Sequence, residues 1–454
     1  MIFLIILVVT KEHHNKNLIK IKKLSKIKYY IASLILVLSI FSCSKDEDGN
    51  VISPTTSTPN ILLIIADDLG KDAINGYQEG SIKPNTPNID AIRNNGLLFT
   101  NFWVNPTCTP TRSSIITGKY GYRTGVKGVG DVLNSSETVI QKYINNNTGN
   151  KYATAIVGKW HLSGNNSGFN PETFGIDYYA GLIRGAVDDY YQWQLTEDGA
   201  ASQQTTYITE KFTDLAINWV NNQSKPWFLW LAYNAPHTPF HVPPSNMHNQ
   251  GNLPAYTNGM DATPYFLASL EAMDYQIGRF LANIPADEKE NTIIIFMGDN
   301  GTTNLVAQSP YISTKVKNTL YQGGINTPLF ISGKGVSRTG TDNQLLAGTD
   351  LFATIAQIAG INVNEYHDSK SFKSLFSQTS IIRNYQYSEL KDGTDELWTI
   401  NNGTYKLLVK NTGNEMYNLV NDPYENNNLL NGVLSTTEQS AKTLLETELN
   451  NIRQ

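Results

Sequence analysis

Four apolar runs limit the fold more than anything else in the chain: Asn60–Ala66, Tyr152–Val157, Trp227–Tyr233 and Thr292–Met297. None alternates polar with apolar residues, as a strand with one wet face would. Each therefore reads as a strand buried on both sides of a mainly parallel sheet. Helical patterns lie between and after them, from Thr86-Pro87 to about Asn94, Thr205 to Asn221, Tyr265 to Leu281 and Asp350 to Ala359. Leu97–Val104 and Thr327–Ser332 read as further strands. The expected class is α/β, a large mixed, mostly parallel sheet sandwiched by helices. Each of the four runs also ends in residues able to do chemistry: Asp67-Asp68-Leu69-Gly70, Gly158-Lys159-Trp160-His161, Asn234-Ala235-Pro236-His237 and Gly298-Asp299-Asn300-Gly301. In sheets of this kind ligands gather beyond the carboxyl ends of the strands.

Beyond about residue 365 the texture changes. Short runs at Tyr385–Leu390, Leu397–Ile400, Thr404–Lys410 and Glu415–Leu419, with turns at Asn401-Asn402-Gly403 and Asn411-Thr412-Gly413-Asn414, predict a smaller antiparallel sheet. Ser435-Thr436-Thr437-Glu438 is a capping box, and Leu444, Leu445, Leu449 and Ile452 are expected to form one apolar face of the closing helix. The chain thus divides into a leader over residues 1–42, a tether over 43–58, a catalytic domain over 59–365 and a C-terminal subdomain over 366–454.

The leader holds Lys20, Lys22, Lys23, Lys26 and Lys28, then the almost unbroken apolar stretch Ile31–Phe41. That stretch is too short to span a bilayer comfortably and suits the apolar region of a signal peptide. Ile40-Phe41-Ser42-Cys43 resembles a bacterial lipobox, with Cys43 lipidated after cleavage; a generic secretory signal with an incidental cysteine is the plainer alternative. Ser44-Lys45-Asp46-Glu47-Asp48 resembles the acidic export tags of surface lipoproteins, although a solvated tether would look the same. Met1–Val9 is a second apolar run outside this scheme and points to translation starting further along. The expected product is exported, an outer-membrane lipoprotein at the cell surface or facing the periplasm, held by its lipid anchor.

The chain has 35 basic and 40 acidic residues, and removing the seven lysines and one glutamate of residues 1–42 leaves a formal charge of −11. That balance argues against nucleic acid as a partner. An anionic substrate would have to be held by a local cationic pocket. There are two cysteines, Cys43 and Cys108. An exported chain with two cysteines can form one disulfide, and acylation of Cys43 would leave none possible.

Cys108 opens the stretch Cys108-Thr109-Pro110-Thr111-Arg112-Ser113-Ser114-Ile115-Ile116-Thr117-Gly118. Pro110 fixes φ and donates no backbone hydrogen bond, which suits the first turn of a helix with Cys108 at its entrance. Helix-end N–H groups and Arg112 favour an anion there, either a thiolate or a bound oxyanion. Asp67 and Asp68 repel each other unless a cation lies between them; at a strand end they suit a hard metal such as Ca²⁺, and a solvated acidic turn is the alternative. Asp299 and Asn300 add a carboxylate and an amide oxygen, with Gly298 and Gly301 permitting close backbone approach. Lys159 and His161, two residues apart, would face the same way on an extended segment. Prolines at 236 and 239 hold His237 in a rigid turn suited to a proton donor. Residues 176–193, rich in tyrosine and aspartate and including Arg184 and Trp193, read as a substrate-facing loop whose rings either stack on sugars or pack beneath it.

Taken in order, Asp67-Asp68, the Cys108 stretch (C-x-P-x-R, then T-G), Gly158-Lys159-Trp160-His161-Leu162, Ala235-Pro236-His237, Gly298-Asp299-Asn300-Gly301 and Lys317-Asn318-Thr319-Leu320-Tyr321 resemble the successive motifs of the type I sulfatases, in the alkaline phosphatase superfamily. Asn421-Asp422-Pro423-Tyr424-Glu425-Asn426-Asn427-Asn428-Leu429 resembles that family's N-D-P-x-E-x-x-N-L run. Thr111 departs from the commoner serine or alanine, and Lys119 from the arginine that often follows T-G. The resemblance implies an alkaline phosphatase-like fold and hydrolysis of sulfate monoesters. It implies that a formylglycine-generating maturation enzyme converts Cys108 to formylglycine (3-oxoalanine), whose hydrate is the nucleophile. Asp67, Asp68, Asp299 and Asn300 would bind one Ca²⁺ that also meets the hydrate at Cys108. Arg112 and Lys159 would steady the hydrate, while Lys159, His237 and Lys317 cradle the sulfate. His237 or Lys317 would protonate the leaving oxygen, and His161 would help to deprotonate the second hydroxyl. The implied substrates are sulfated polysaccharides or oligosaccharides such as ulvan, carrageenan or fucoidan, with host glycosaminoglycans also open. Two other readings stay open: a phosphate mono- or diesterase of the same superfamily, and a non-catalytic surface glycan-binding lipoprotein.

Overall fold

In chain order the strands are β1 (Asn60–Ala66), β2 (Gly96–Phe99), β3 (Phe102–Trp103), β4 (Ala153–Lys159), β5 (Tyr178–Leu182), β6 (Trp193–Glu197), β7 (Ala200–Gln204), β8 (Trp227–Ala232), β9 (Thr292–Gly298), β10 (Leu329–Gly333) and β11 (Gly340–Asp342). All but β3 join one ten-stranded sheet, ordered β11-β2-β10-β9-β1-β8-β4-β5-β6-β7. This computed structural model describes residues 58–454 apart from 165, 167 and 168, so the signal peptide, Cys43 and nearly all of the tether lie outside the described residues. Strands β9, β1, β8, β4 and β5 run parallel through the centre. Strand β10 and the hairpin β6–β7 are antiparallel to their neighbours.

The unbroken apolar runs have a direct cause. Leu62, Ile64 and Ala66 of β1 enter one core with Phe212, Phe266 and Leu270 from the helices Ile208–Asn221 and Thr263–Asn283. Ile61, Leu63 and Ile65 enter the opposite core with Ile115, Leu351 and Phe352 from the helices Cys108–Thr117 and Asp350–Ile358. Alternate side chains point to opposite faces, and helices cover both, so every position of β1 is apolar or buried.

Local departures from expectation follow from pairing. Leu97–Val104 breaks at Thr100-Asn101 into β2 and β3, because those backbones turn to bond Asp342 and Leu346. Residues 176–193 are not one loop: Tyr178–Leu182 is a sheet strand, and Tyr179, Tyr190 and Trp193 are buried, leaving Arg184, Asp188 and Asp189 exposed. The rings pack beneath the surface.

After β12 (Leu346–Ala347), β13 (Glu365–Tyr366) and β14 (Ser369–Lys370), the chain forms the antiparallel sheet β15 (Gln386–Asp392), β16 (Asp395–Asn401), β17 (Tyr405–Val409) and β18 (Glu415–Asn418). The helix Thr436–Arg453 opens with the expected capping box at Ser435 and Glu438. Leu445 and Leu449 are buried against Ile400, Leu407 and Met416. Leu444 is 50% exposed, a correction to the expected face: it lies one position off the Ala441–Leu445–Leu449–Ile452 line.

Candidate active site

Because β9, β1, β8 and β4 are adjacent and parallel, their carboxyl ends bring Asp299-Asn300, Asp67-Asp68, the turn carrying His237, and Lys159 to one edge of the sheet. Cys108 reaches the same edge as the first residue of its helix, after an extended Thr107. The Thr111 hydroxyl sits 3.0 Å from both the N–H and the carbonyl of Asn105, fastening the entry to that helix. Lys119 pairs with Glu137 at 2.6 Å. Both residues that depart from the commoner pattern thus have local structural partners.

Two ion pairs form the inner wall. Arg112 donates to Asp299 Oδ2 through Nε (3.1 Å) and Nη2 (2.8 Å), and to the Lys159 carbonyl through Nη1 (2.8 Å). Lys159 Nζ donates to Asp67 Oδ2 at 2.5 Å. Further out, Lys317 Nζ donates to Asp68 Oδ2 at 2.6 Å, and His237 Nε2 lies 3.8 Å from the same oxygen. His237 Nδ1 is 2.6 Å from the Thr238 carbonyl, so Nδ1–H is the donor and Nε2 faces the site. The turn is supported from below, since the Tyr190 hydroxyl is within hydrogen-bonding distance of the Asn234 and His237 carbonyls.

His161 Nδ1 is 3.2 Å from Cys108 Sγ. Lys159 and His161 do not share an extended face as expected: β4 ends at Lys159, and His161 adopts φ 59°. That turn is what carries the imidazole to the sulfur. Burial, with the neighbouring Lys159 and Arg112 cations, holds the His161 pKa well below its usual value, so the ring is neutral and can accept a proton. Burial also pushes the Cys108 thiol up, against the pull of Lys159. An unmodified Cys108 is thus disfavoured as a thiolate, and of the two anions expected here a bound oxyanion is the one these surroundings suit.

Two of the four residues expected to be metal ligands offer an oxygen with no other partner. Asp67 Oδ1 and Asn300 Oδ1 are buried acceptors without a hydrogen-bond partner. Ligand atoms of Asp67, Cys108 and Asp299 lie within 4.8 Å of one another, as do those of Asp67, Asp68 and His237. Burial and the Asp67 charge push the Asp299 carboxyl up to about 7, despite Arg112. Asp68 is held below the usual carboxylate range, as Lys317 and His237 overcome its burial. Donorless buried oxygens beside carboxylates that raise one another's pKa fit a hard divalent cation. Gly298 and Gly301 are required here, since a Cβ would fall 2.1 Å from the Leu69 carbonyl at the first and 1.8 Å from the Gly323 carbonyl at the second.

Every site residue named from the sequence within the described chain reaches this edge. Supporting residues were missed. Thr302 accepts the Gly70 N–H and donates to Asp72, joining the loops after β1 and β9. Asn318, at φ 69°, donates its N–H to the Pro106 carbonyl beside Cys108. An asparagine next to a candidate lysine was the available signal, because asparagine tolerates the left-handed region.

A parallel-centred sheet whose carboxyl edge gathers buried carboxylates and cations defines an α/β protein with acidic groups that could hold a metal. The family model described as Sulfatase matches residues 59–361, and the one described as N-sulphoglucosamine sulphohydrolase, C-terminal, matches residues 315–454. The chain belongs to the sulfatase family. It is 24% identical over 511 residues to a sulfatase of Formosa agariphila, covering 90% of both chains. It is 26% identical to the uncharacterized sulfatase YdeN of Escherichia coli, covering 68% of this chain but 64% of that protein. The crystal structure of Ps i-CgsB in complex with k-i-k-neocarrahexaose superposes with a TM-score of 0.76 at 25% identity, over 87% of this chain and 93% of that one. BT4656 in complex with D-Glucosamine-2-N, 6-O-disulfate has the same fold, with a TM-score of 0.72 at 21% identity, over 87% and 98% of the two chains.

Proposed function

We propose that this protein hydrolyses sulfate monoesters on sulfated carbohydrates, with Cys108 oxidised to formylglycine and one Ca²⁺ held by Asp67, Asp68, Asp299 and Asn300. The observation that carries the reading is the neutral His161 at 3.2 Å from Cys108, inside a wall of compensated charges with two donorless oxygens. When present, the hydrated aldehyde supplies a nucleophilic hydroxyl and a second hydroxyl from which sulfate can be eliminated, while the calcium ion draws charge from a sulfate oxygen.

The chain's own residues do the rest. Lys317 and His237 are the partly open donors of the site and receive the anion; either can give a proton to the leaving sugar oxygen. Lys159 adds positive charge from within, and Arg112 keeps Asp299 and the end of β4 fixed. His161 takes a proton at Nδ1, next to the atom that replaces the sulfur. Lys159, His161, His237 and Lys317 around one evident acidic cluster favour sulfate over phosphate chemistry, which commonly relies on two metal ions. The neocarrahexaose complex of Ps i-CgsB supports a carbohydrate as the leaving group. We further assign the mature protein to the cell surface, lipidated at Cys43 and matured by a formylglycine-generating enzyme.

Co-expression with such a maturation enzyme tests the proposal. Intact mass should show loss of the Cys108 sulfur, and turnover of sulfate monoesters should exceed that of matched phosphate mono- and diesters. A larger kcat/KM on the phosphate series, or full activity with the sulfur in place, overturns it.

A further inference from the structure

We propose that Glu425, in the motif Asn421–Leu429, is a positioning residue that fixes Lys317 through the backbone of residues 315–322. This rests on the reading of Lys317 as a sulfate-binding residue. Glu425 is 1% exposed, and its contacts go to that segment, to Lys406 and to its own motif.

One carboxylate grips the segment in two ways. Glu425 Oε2 accepts the Gln322 N–H at 2.5 Å. Its Oε1 accepts Lys406 Nζ at 2.5 Å, and the same ammonium donates to the Leu320 carbonyl at 2.6 Å. The Glu425 carbonyl in turn accepts Lys315 Nζ. Residues 315, 320 and 322 are thus held from the C-terminal side. From the catalytic side, the Lys317 N–H donates to the Thr302 carbonyl at 3.2 Å and the Asn318 N–H to the Pro106 carbonyl at 2.9 Å. Lys317 lies between these two sets of anchors. Its ammonium can meet an anion only where the segment places it.

The motif is built to present this glutamate. Glu425 sits at φ 61°, which a long side chain rarely adopts without support. Asp422 supplies it, accepting the Asn426 and Asn427 N–H groups at 2.9 and 2.8 Å, while its carbonyl takes the Glu425 N–H at 3.2 Å. Asn428 Oδ1 accepts Met416 N–H at 3.0 Å and Leu430 N–H at 3.1 Å, tying the run to β18. The chemistry requires a carboxylate, because a buried amide N–H and a buried ammonium need an anionic acceptor together.

The test compares Glu425→Ala, the double variant Glu425→Met/Lys406→Met, and each combined with Lys317→Ala. The methionine pair removes both buried charges and is the form expected to stay folded if the alanine variant does not. It should lower kcat/KM on a sulfate monoester by about 10²-fold with a cooperative melt retained. Adding the methionine pair to Lys317→Ala should cause no further loss, because both changes disable one group. Losses that multiply with Lys317→Ala overturn the proposal. Amide hydrogen exchange supplies a readout free of activity: residues 316–322 should exchange faster in the variants while β1 and β9 do not change. Unchanged exchange there also overturns it. Should the wild type prove inactive on sulfate esters, the functional reading fails and exchange alone decides whether Glu425 holds the segment.

Discussion

The inner and outer charges of the site differ in depth. The side chains of Arg112, Asp299, Lys159 and Asp67 are wholly withdrawn from solvent, whereas Lys317 and His237 keep 15% and 14% exposure. The inner cations are each committed to a buried carboxylate, and to leave it would strand that carboxylate in a medium that cannot solvate it. The outer pair converges on one oxygen edge of Asp68 and remains within reach of an incoming anion. The inner pairs therefore set the frame, and on the proposed function the outer groups receive the anion.

The largest effect is expected at Cys108, the proposed nucleophile, which belongs to neither set. Cys108→Ala should lower turnover by about 10⁴-fold or more without altering the ion pairs around it. Retained activity in that variant would remove the point toward which both sets are arranged.

Next comes the contrast itself. Lys159→Met should cost about 3–5 kcal/mol of stability, read from denaturant unfolding, because Asp67 loses its partner in the interior. Lys317→Ala should cost less stability than Lys159→Met, because Asp68 keeps His237 nearby and its partner is partly open, yet lower kcat by about 10²–10³-fold through loss of charge against the substrate. Equal destabilisation by the two would erase the distinction between frame and capture. A calcium titration sharpens it. At a hundredfold excess over Kd, Ca²⁺ should stabilise the protein by about 2.7 kcal/mol, and a chelator should reverse this in a thermal melt. Lys317→Ala should keep that shift, whereas Asp299→Asn, within the frame, should lose most of it.

Much of this arrangement was legible in the sequence, and the reasons differ by residue. The run Asn60–Ala66 announces a doubly covered strand because both of its faces meet helices, so no polar position survives. Asp67 and Asp68 stand out because adjacent carboxylates after such a strand demand a cation. The grip of Arg112 on Asp299, 187 positions away, has no local signature. Nor has the left-handed turn at His161, since periodicity describes elements and falls silent where one ends. The tyrosines of residues 176–193 defeated the reading for a related reason: composition marks rings as useful, but only pairing of β5 with β4 decides that Tyr179 is buried. Glu425 was visible as part of a motif, and its partners were not, because Gln322 and Lys406 come from separate parts of the chain.

A second histidine from the outer turn, remote from any expected loss of turnover, tests whether depth also governs titration. His241 lies four residues past His237 but stacks on Tyr190, with ring centroids 3.8 Å apart. Its Nδ1–H donates to the Pro239 carbonyl at 2.9 Å, which leaves Nε2 to accept the Tyr207 hydroxyl at 3.0 Å. Burial lowers its pKa from 6.5 to about 4, with the Pro239 carbonyl and Asp189 opposing. The unfolded chain therefore takes up a proton near 6.5 that the folded state refuses until about 4. Stability from this group is complete above the first value, falls as pH drops through the window and levels off below the second. The loss across the window should be on the order of 2–3 kcal/mol. His241→Phe keeps the stacking and removes the titration, so its stability should fall less over the same range, by denaturant midpoints measured at about pH 7 and about pH 4.5. If the wild type and the phenylalanine variant lose stability in parallel, the covered side of this turn does not exclude a proton, and depth does not govern the titration of His241.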